Sequence, residues 1–318
     1  MSYYLWKAVL GATPRVPIEK DEYDDLLVSW GALGQIALIE EGWDDLVQNY
    51  LELEMELLQS AMRTMVLNHE DYHEFQQTRL RFARRLSNLL QSCKSYIDHT
   101  PHHLNQLPVA GLVAVFKGFT NVAYDASFSY RFMEALRNYA QHRGLPLHGA
   151  TFDAAWTGDF SDEGKNKGQM RHSVAASIDI SKIKGDKKFK ASVIAEIDAH
   201  LDQLDVAILV REYIESLAGV HTELRKALKV SLDGWKASVR TAIGKYSAVN
   251  DGNVIGLTAA IFDDDEHVVA RTNLFDDLPT RVEKLVRRNG SLVNLRLRYV
   301  TNEITPKRAA KRVADKKS

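Results

Sequence analysis

The stretch FSYRFMEALRNYAQHRGLPLH, residues 128–148, carries both a clear helix signal and a concentrated set of reactive side chains. Ser127 stands before it as an N-cap, and Gly144 with Pro146 ends it. Phe128, Phe132, Ala135, Leu136 and Tyr139 recur at three- and four-residue steps, which predicts one apolar face of a helix. Arg137, Asn138 and His142 lie off that face. Arginine offers a rigid fork of donors that suits phosphate, and histidine gives and takes a proton near neutral pH. At about 100° per residue, Arg137 and His142 border one polar face rather than stack on each other. A second copy of the helix, related by a two-fold axis, would pair them more closely. On spacing alone, a solvated charged face with one flanking histidine accounts for the same residues.

Working outward, the neighbouring segments read as helices too. Leu46, Tyr50, Leu53, Leu57, Ala61 and Met65 form one stripe; Phe75, Phe82, Leu86, Leu89, Cys93 and Ile97 form a second. Val210, Ile214, Leu217, His221, Leu224 and Leu228 form a third, in which His221 reads as a satisfied core histidine. Helix breaks are expected at Gly31, Gly34 and Gly42, at His99–His103 around Pro101, and at Asp233-Gly234. Pro108 is expected to open a helix through about Phe119. Residues 1–20 read as an extended lead. Val174, Ala176, Ile178 and Ile180 alternate with polar residues and predict a half-buried strand. After the turn signal Asn250-Asp251-Gly252-Asn253 come strands near 254–261, 267–274 and 292–300, with a helix near 279–288. The expected fold class is therefore mainly α (α+β). A helical bundle at 43–250 holds a β insertion at about 150–185. A lead with a first helix (1–42) precedes it, and a small α/β appendage (251–304) and a basic, disordered tail (305–318) follow.

Composition narrows the function classes. The net charge of -1 supplies no global basic field, so any RNA contact must be local. One cysteine, Cys93, excludes an intramolecular disulfide framework and fits a reducing compartment. The opening MSYYLWKAVLGATP lacks the basic start and long apolar run of a signal peptide, and the apolar run from Leu26 to Ile39 falls short of the ~20 residues that span a bilayer. A cytoplasmic protein with no membrane partner is expected. No dinucleotide fingerprint is present. GDFSDEGKN misses the phosphate-binding P-loop, with glycines spaced one too far and Asn166 in place of Ser or Thr. No cofactor is expected.

The segment FMEALRNYAQHRGLPLH resembles the motif helix of the HEPN-domain superfamily. That signature is Arg, a polar residue, three more residues, then His, and Arg137, Asn138 and His142 match it position for position. The resemblance is specific over about twenty residues, and the long helices around the motif resemble the HEPN bundle. It implies a metal-independent endoribonuclease, a homodimer with the motif helix of each subunit lining a shared cleft, and a role as a toxin or antiphage abortive-infection effector. The implied partners are RNA and a cognate antitoxin or defence-system protein. The implied roles are a proton shuttle for His142, phosphate binding for Arg137 and support for Asn138. Some members are non-catalytic binding modules, and that alternative stays open. Where certain HEPN toxins carry a modifiable tyrosine two residues after the histidine, this chain has Gly144, so that form of control is not expected.

A second motif competes. His69-Glu70-Asp71-Tyr72-His73 fits the His-Glu-x-x-His spacing of zinc hydrolases, with His99, His102 or His103 as a third ligand. Its flanks, Asn68 and Glu74, are polar where a zinc-hydrolase helix is apolar, and a solvated helix start is the favoured reading.

Overall fold

The computed structural model describes residues 1–67, 72–158, 164, 168–187, 189–201, 204–275, 277–290 and 292–300. Helices dominate, with small antiparallel sheets. Three long helices form the frame: α1 (Lys20–Val66), α2 (Tyr72–Leu104) and α7 (Val206–Ser247). Each repeats buried apolar residues every three or four positions, and α1 lies between the other two, packing against both α2 and α7. α3 (Leu112–Ala126) and α4 (Phe128–His142) pack against α7 and α2. The hairpin β3 (Gly149–Trp156) and β4 (Met170–Ser177) follows α4 and packs on α2 and α1. Short helices α5 (Ile180–Gly185) and α6 (Ala191–Ile197) return the chain to α7, whose first turn is capped by Asp205 accepting from the amides of Ala207 and Ile208.

Residues 2–18 and 257–273 meet in one sheet. β1 (Ser2–Lys7) and β2 (Arg15–Ile18) join β5 (Leu257–Phe262) and β6 (Val268–Asn273) in the order β2-β1-β5-β6, all antiparallel, with Tyr4 opposite Ala260. The central strand β5 is apolar at Leu257, Ala259, Ala260 and Phe262, which are all buried. α8 (Asp277–Arg288) then packs across α1.

Several boundaries differ from expectation. The lead and the C-terminal appendage are not separate units, because β1 pairs with β5. The boundary expected at 42/43 falls inside α1, which runs unbroken through Gly31, Gly34 and Gly42. Each glycine costs about 1 kcal/mol in a helix relative to alanine, but buried residues on every adjacent turn, from Tyr23 to Leu53, outweigh that cost. α2 continues through Pro101 to Leu104, with Thr100 donating back to the Tyr96 carbonyl and Asn105 to the Pro101 carbonyl. α3 opens at Leu112, after Gly111 takes the left-handed conformation (φ 81°), not at Pro108. α7 passes straight through Asp233-Gly234, because Lys229 and Lys236 pair with Asp233 and the buried stripe resumes at Trp235, Val239 and Ala242. The strand expected at 292–300 is absent among the described residues. Leu295–Leu297 is a single 3-10 turn whose backbone is held by α7 side chains: the Asn294 amide donates to Glu215, and the Arg298 carbonyl accepts from Arg211. The tail from 305 lies outside the described residues.

Candidate functional site

α4 is fixed firmly at its start and released at its end. Ser127 caps it, its Oγ accepting from the Tyr130 amide at 3.1 Å. Phe128, Phe132, Met133 and Leu136 are buried in the shared core. Ser129 donates to Glu212 of α7 at 2.6 Å, and Tyr213 of α7 donates to Glu134 at 2.7 Å. Arg131 forks onto Glu196 of α6 and also donates to the carbonyls of Tyr124 and Asp125. These contacts come from three other elements, so the first three turns have one arrangement. The last turn emerges at the surface, where Asn138, Gln141, His142 and Arg143 are exposed.

The predicted trio lies on that emerging turn. Arg137 is half-buried, and its Nη1 donates to Asn138 Oδ1 at 3.0 Å. Its Nε is buried and has no acceptor. Among the described residues no carboxylate pairs with Arg137, whereas Arg131 and Arg143, on either side, pair with Glu196 and Asp186. Asn138 therefore holds the guanidinium as an oriented neutral neighbour without cancelling its charge. His142 is the last residue of α4, exposed and about 140° around the helix from Arg137. The fold brings Arg137 and Asn138 into contact and leaves His142 beside them without a bond to either.

The surroundings add polar groups that the sequence pattern does not pick out. Gln141 reaches Gln91 of α2 at 3.5 Å. His148, on the far side of the Gly144–Pro146 turn, lies 3.4 Å from the Tyr139 hydroxyl through Nε2 and accepts the Asp179 amide on Nδ1 at 3.1 Å. Burial, with the Lys182 charge in support, lowers the His148 pKa, which keeps the ring neutral and Nδ1 an acceptor. No regular spacing links His148 to α4, so no periodicity could have found it.

Of the zinc motif's histidines and glutamate, His73 alone is among the described residues. His69 and Glu70 lie outside the described residues. His73 sits in the first turn of α2, 3.4 Å from Gln77. His99 is 26 residues further along the same helix, which at 1.5 Å per residue is about 39 Å away. His99, His102 and His103 therefore cannot complete a site with His73, because one straight helix holds them apart. His103 instead bonds Gln35 of α1 at 2.9 Å, and His102 bonds Gln106 at 2.8 Å. Among the described residues no group of three metal-ligating side chains is arranged to hold an ion.

One buried polar constellation was only half visible in the sequence. His221 is indeed a satisfied core histidine: Tyr96 of α2 lies 2.7 Å from its Nδ1, and Glu40 of α1 lies 3.3 Å from its Nε2. Trp43 stacks on the ring at 4.6 Å. Arg225 forks onto Glu40 and donates to the Asn289 carbonyl at 3.0 Å. Burial alone would raise the Glu40 pKa, but the hydrogen bonds from Arg225 and His221 overcome it and hold the carboxyl at about 2. Burial lowers the His221 pKa, so the ring is neutral, donates from Nε2 to Glu40 and accepts the Tyr96 hydroxyl on Nδ1. The cluster locks α1, α2 and α7 together. Every polar group in it is engaged, so it has no unpaired group to offer a substrate.

No family model, curated protein or solved structure matches the chain. The role of the site therefore rests on its own residues. No helix among the described residues is long and apolar enough to cross a membrane.

Proposed function

We propose that the protein is a metal-independent endoribonuclease of HEPN type, acting as a homodimer in which the exposed turn of α4 from each chain lines a shared cleft. The observation that carries this reading is Arg137. Its guanidinium is held by Asn138 and is not neutralised by a carboxylate among the described residues. An arginine without a counter-ion beside an exposed histidine suits an incoming phosphate. A toxin or defence effector held in check by a partner protein is the cellular role this chemistry fits.

RNA brings its own nucleophile. The 2′-hydroxyl attacks the adjacent phosphorus while the bond to the 5′-oxygen breaks, giving a 2′,3′-cyclic phosphate and a free 5′-hydroxyl. The 2′ proton needs a base and the 5′-oxygen needs an acid; a two-fold site with one His142 from each chain supplies both. Arg137 holds the non-bridging oxygens as charge builds on them, and Asn138 sets the plane of its fork.

The test is incubation of purified protein with structured and unstructured RNA in chelator-containing buffer, followed by end-group analysis. Cleavage with cyclic-phosphate ends, lost in His142→Ala, is expected. Retention of cleavage and of cell toxicity in His142→Ala would end the catalytic assignment. RNA binding without cleavage by the wild type would replace it with the reading of a non-catalytic binding module.

A further inference from the structure

The outer face of the second half of α1 is an apolar seam that no described residue covers. Leu51, Met55, Leu58, Met62 and Met65 follow steps of four, three, four and three residues. Val66 and Leu67 extend the patch, and all seven leave between 42% and 72% of their surface in water. The opposite face of the same segment is already used, with Leu53, Glu56 and Ser60 buried in the chain's own fold. Between positions 51 and 67 the only other exposed residues are Glu52 and Gln59. Scattered exposed leucines need no explanation, but a continuous large apolar patch marks an interaction site.

We infer that this seam binds the same seam of a second copy of the chain, as an antiparallel two-helix interface. Three observations select that occupant. The mean step of 3.5 residues is that of a coiled-coil seam, which calls for a partner helix. Reversal of a four-three-four-three pattern gives the same kind of pattern, so the seam is complementary to itself about a two-fold axis. The one exposed carboxylate beside the seam, Glu52, would repel a second copy, yet it is neutralised within its own chain by Arg85. A membrane-surface helix would instead edge its apolar face with several lysines and arginines free to meet lipid phosphates, whereas Arg63, half-buried, is the one basic residue between 51 and 67.

The area is sufficient. The seam runs about 24 Å along the helix. Covering seven half-exposed leucine-sized side chains buries about 700 Å² per chain, so about 1,400 Å² for the pair, within the range of standard stable interfaces. The seam lies on α1 and not on α4, so the inference does not depend on the reading of Arg137 and His142.

The experiment is light scattering on the full chain at about 50 µM, a concentration at which a standard-size interface is populated. Wild type is expected at twice 35.9 kDa. Met55→Glu/Met62→Glu is expected to raise the dimer dissociation constant at least about 100-fold, with an unchanged circular dichroism spectrum. Met55→Leu/Met62→Leu is expected to stay dimeric. Should the glutamate pair not fold, Met55→Gln/Met62→Gln gives the same reading with neutral helix-forming side chains. A wild-type monomer at this concentration overturns the inference, whether or not that monomer binds phosphatidylglycerol vesicles. A dissociation constant left unchanged by the double substitution overturns it equally, since the copies then meet elsewhere.

Discussion

Replacing Glu40 by glutamine keeps the shape of the buried cluster and removes its one negative charge. Glu40 is buried, and its partner Arg225 is only about a fifth exposed. With the charge gone, the guanidinium keeps the Asn289 carbonyl but loses its counter-ion. A carboxyl held at about 2 instead of its ordinary 4.5 contributes about 3 kcal/mol to stability at neutral pH. That agrees with the cost of about 3–5 kcal/mol for removing one partner of a buried ion pair. The sign follows from the direction of the shift. The folded-state pKa is depressed, so the contribution is fully present above pH 4.5 and is lost as pH falls towards 2. At pH 3 about half remains, about 1.5 kcal/mol. Urea unfolding of wild type and Glu40→Gln at pH 7 and pH 3 reads both values. The gap between the two proteins should close from about 3 to about 1.5 kcal/mol. A gap that stays constant with pH, or a glutamine variant as stable as wild type at pH 7, would refute the claim that the Glu40 charge ties α1 to α7.

Two further predictions concern α4. Arg137→Met removes a guanidinium whose buried Nε has no acceptor, so it should leave stability unchanged or raise it by about 1 kcal/mol, while lowering the rate of RNA cleavage at least about 100-fold; thermal melting and a cleavage time course check the two together, and lower stability or intact cleavage would count against the site. Ser127→Ala removes the cap that accepts from Tyr130 and should cost about 1 kcal/mol in urea unfolding, with faster hydrogen exchange at the Tyr130 amide.

Much of the helical framework was legible because its determinants are local. Ser127 and the Gly144–Pro146 turn bracket α4 in sequence, and the stripes of α2 and α7 repeat with the helical period. The expected breaks failed for a shared reason. Glycine, proline and Asp233-Gly234 disfavour a helix by amounts a single buried stripe can exceed, and how much is buried is set by the other helices. Pairing was invisible altogether: nothing in SYYLWK names LTAAIF, about 250 residues away, as its neighbour in the sheet. The Glu40–His221–Arg225 cluster shares this cause, since Glu40 lies 181 residues from His221 and 185 from Arg225.

The same distinction separates what could be read of the candidate site from what could not. The residue types of Arg137, Asn138 and His142 were plain, and so was the polar edge they share on one helix. Their standing depends on the arginines at either end of the turn. Arg131 and Arg143 are consumed by Glu196 and Asp186, which arrive from α6 and from the segment after α5. Arg137 is left with an amide. A sequence pattern treats the three arginines alike, because the acceptors that distinguish them come from a later part of the chain. What makes Arg137 a candidate for phosphate is therefore the placement of other residues: the fold gives its neighbours carboxylates and leaves Arg137, among the described residues, without one.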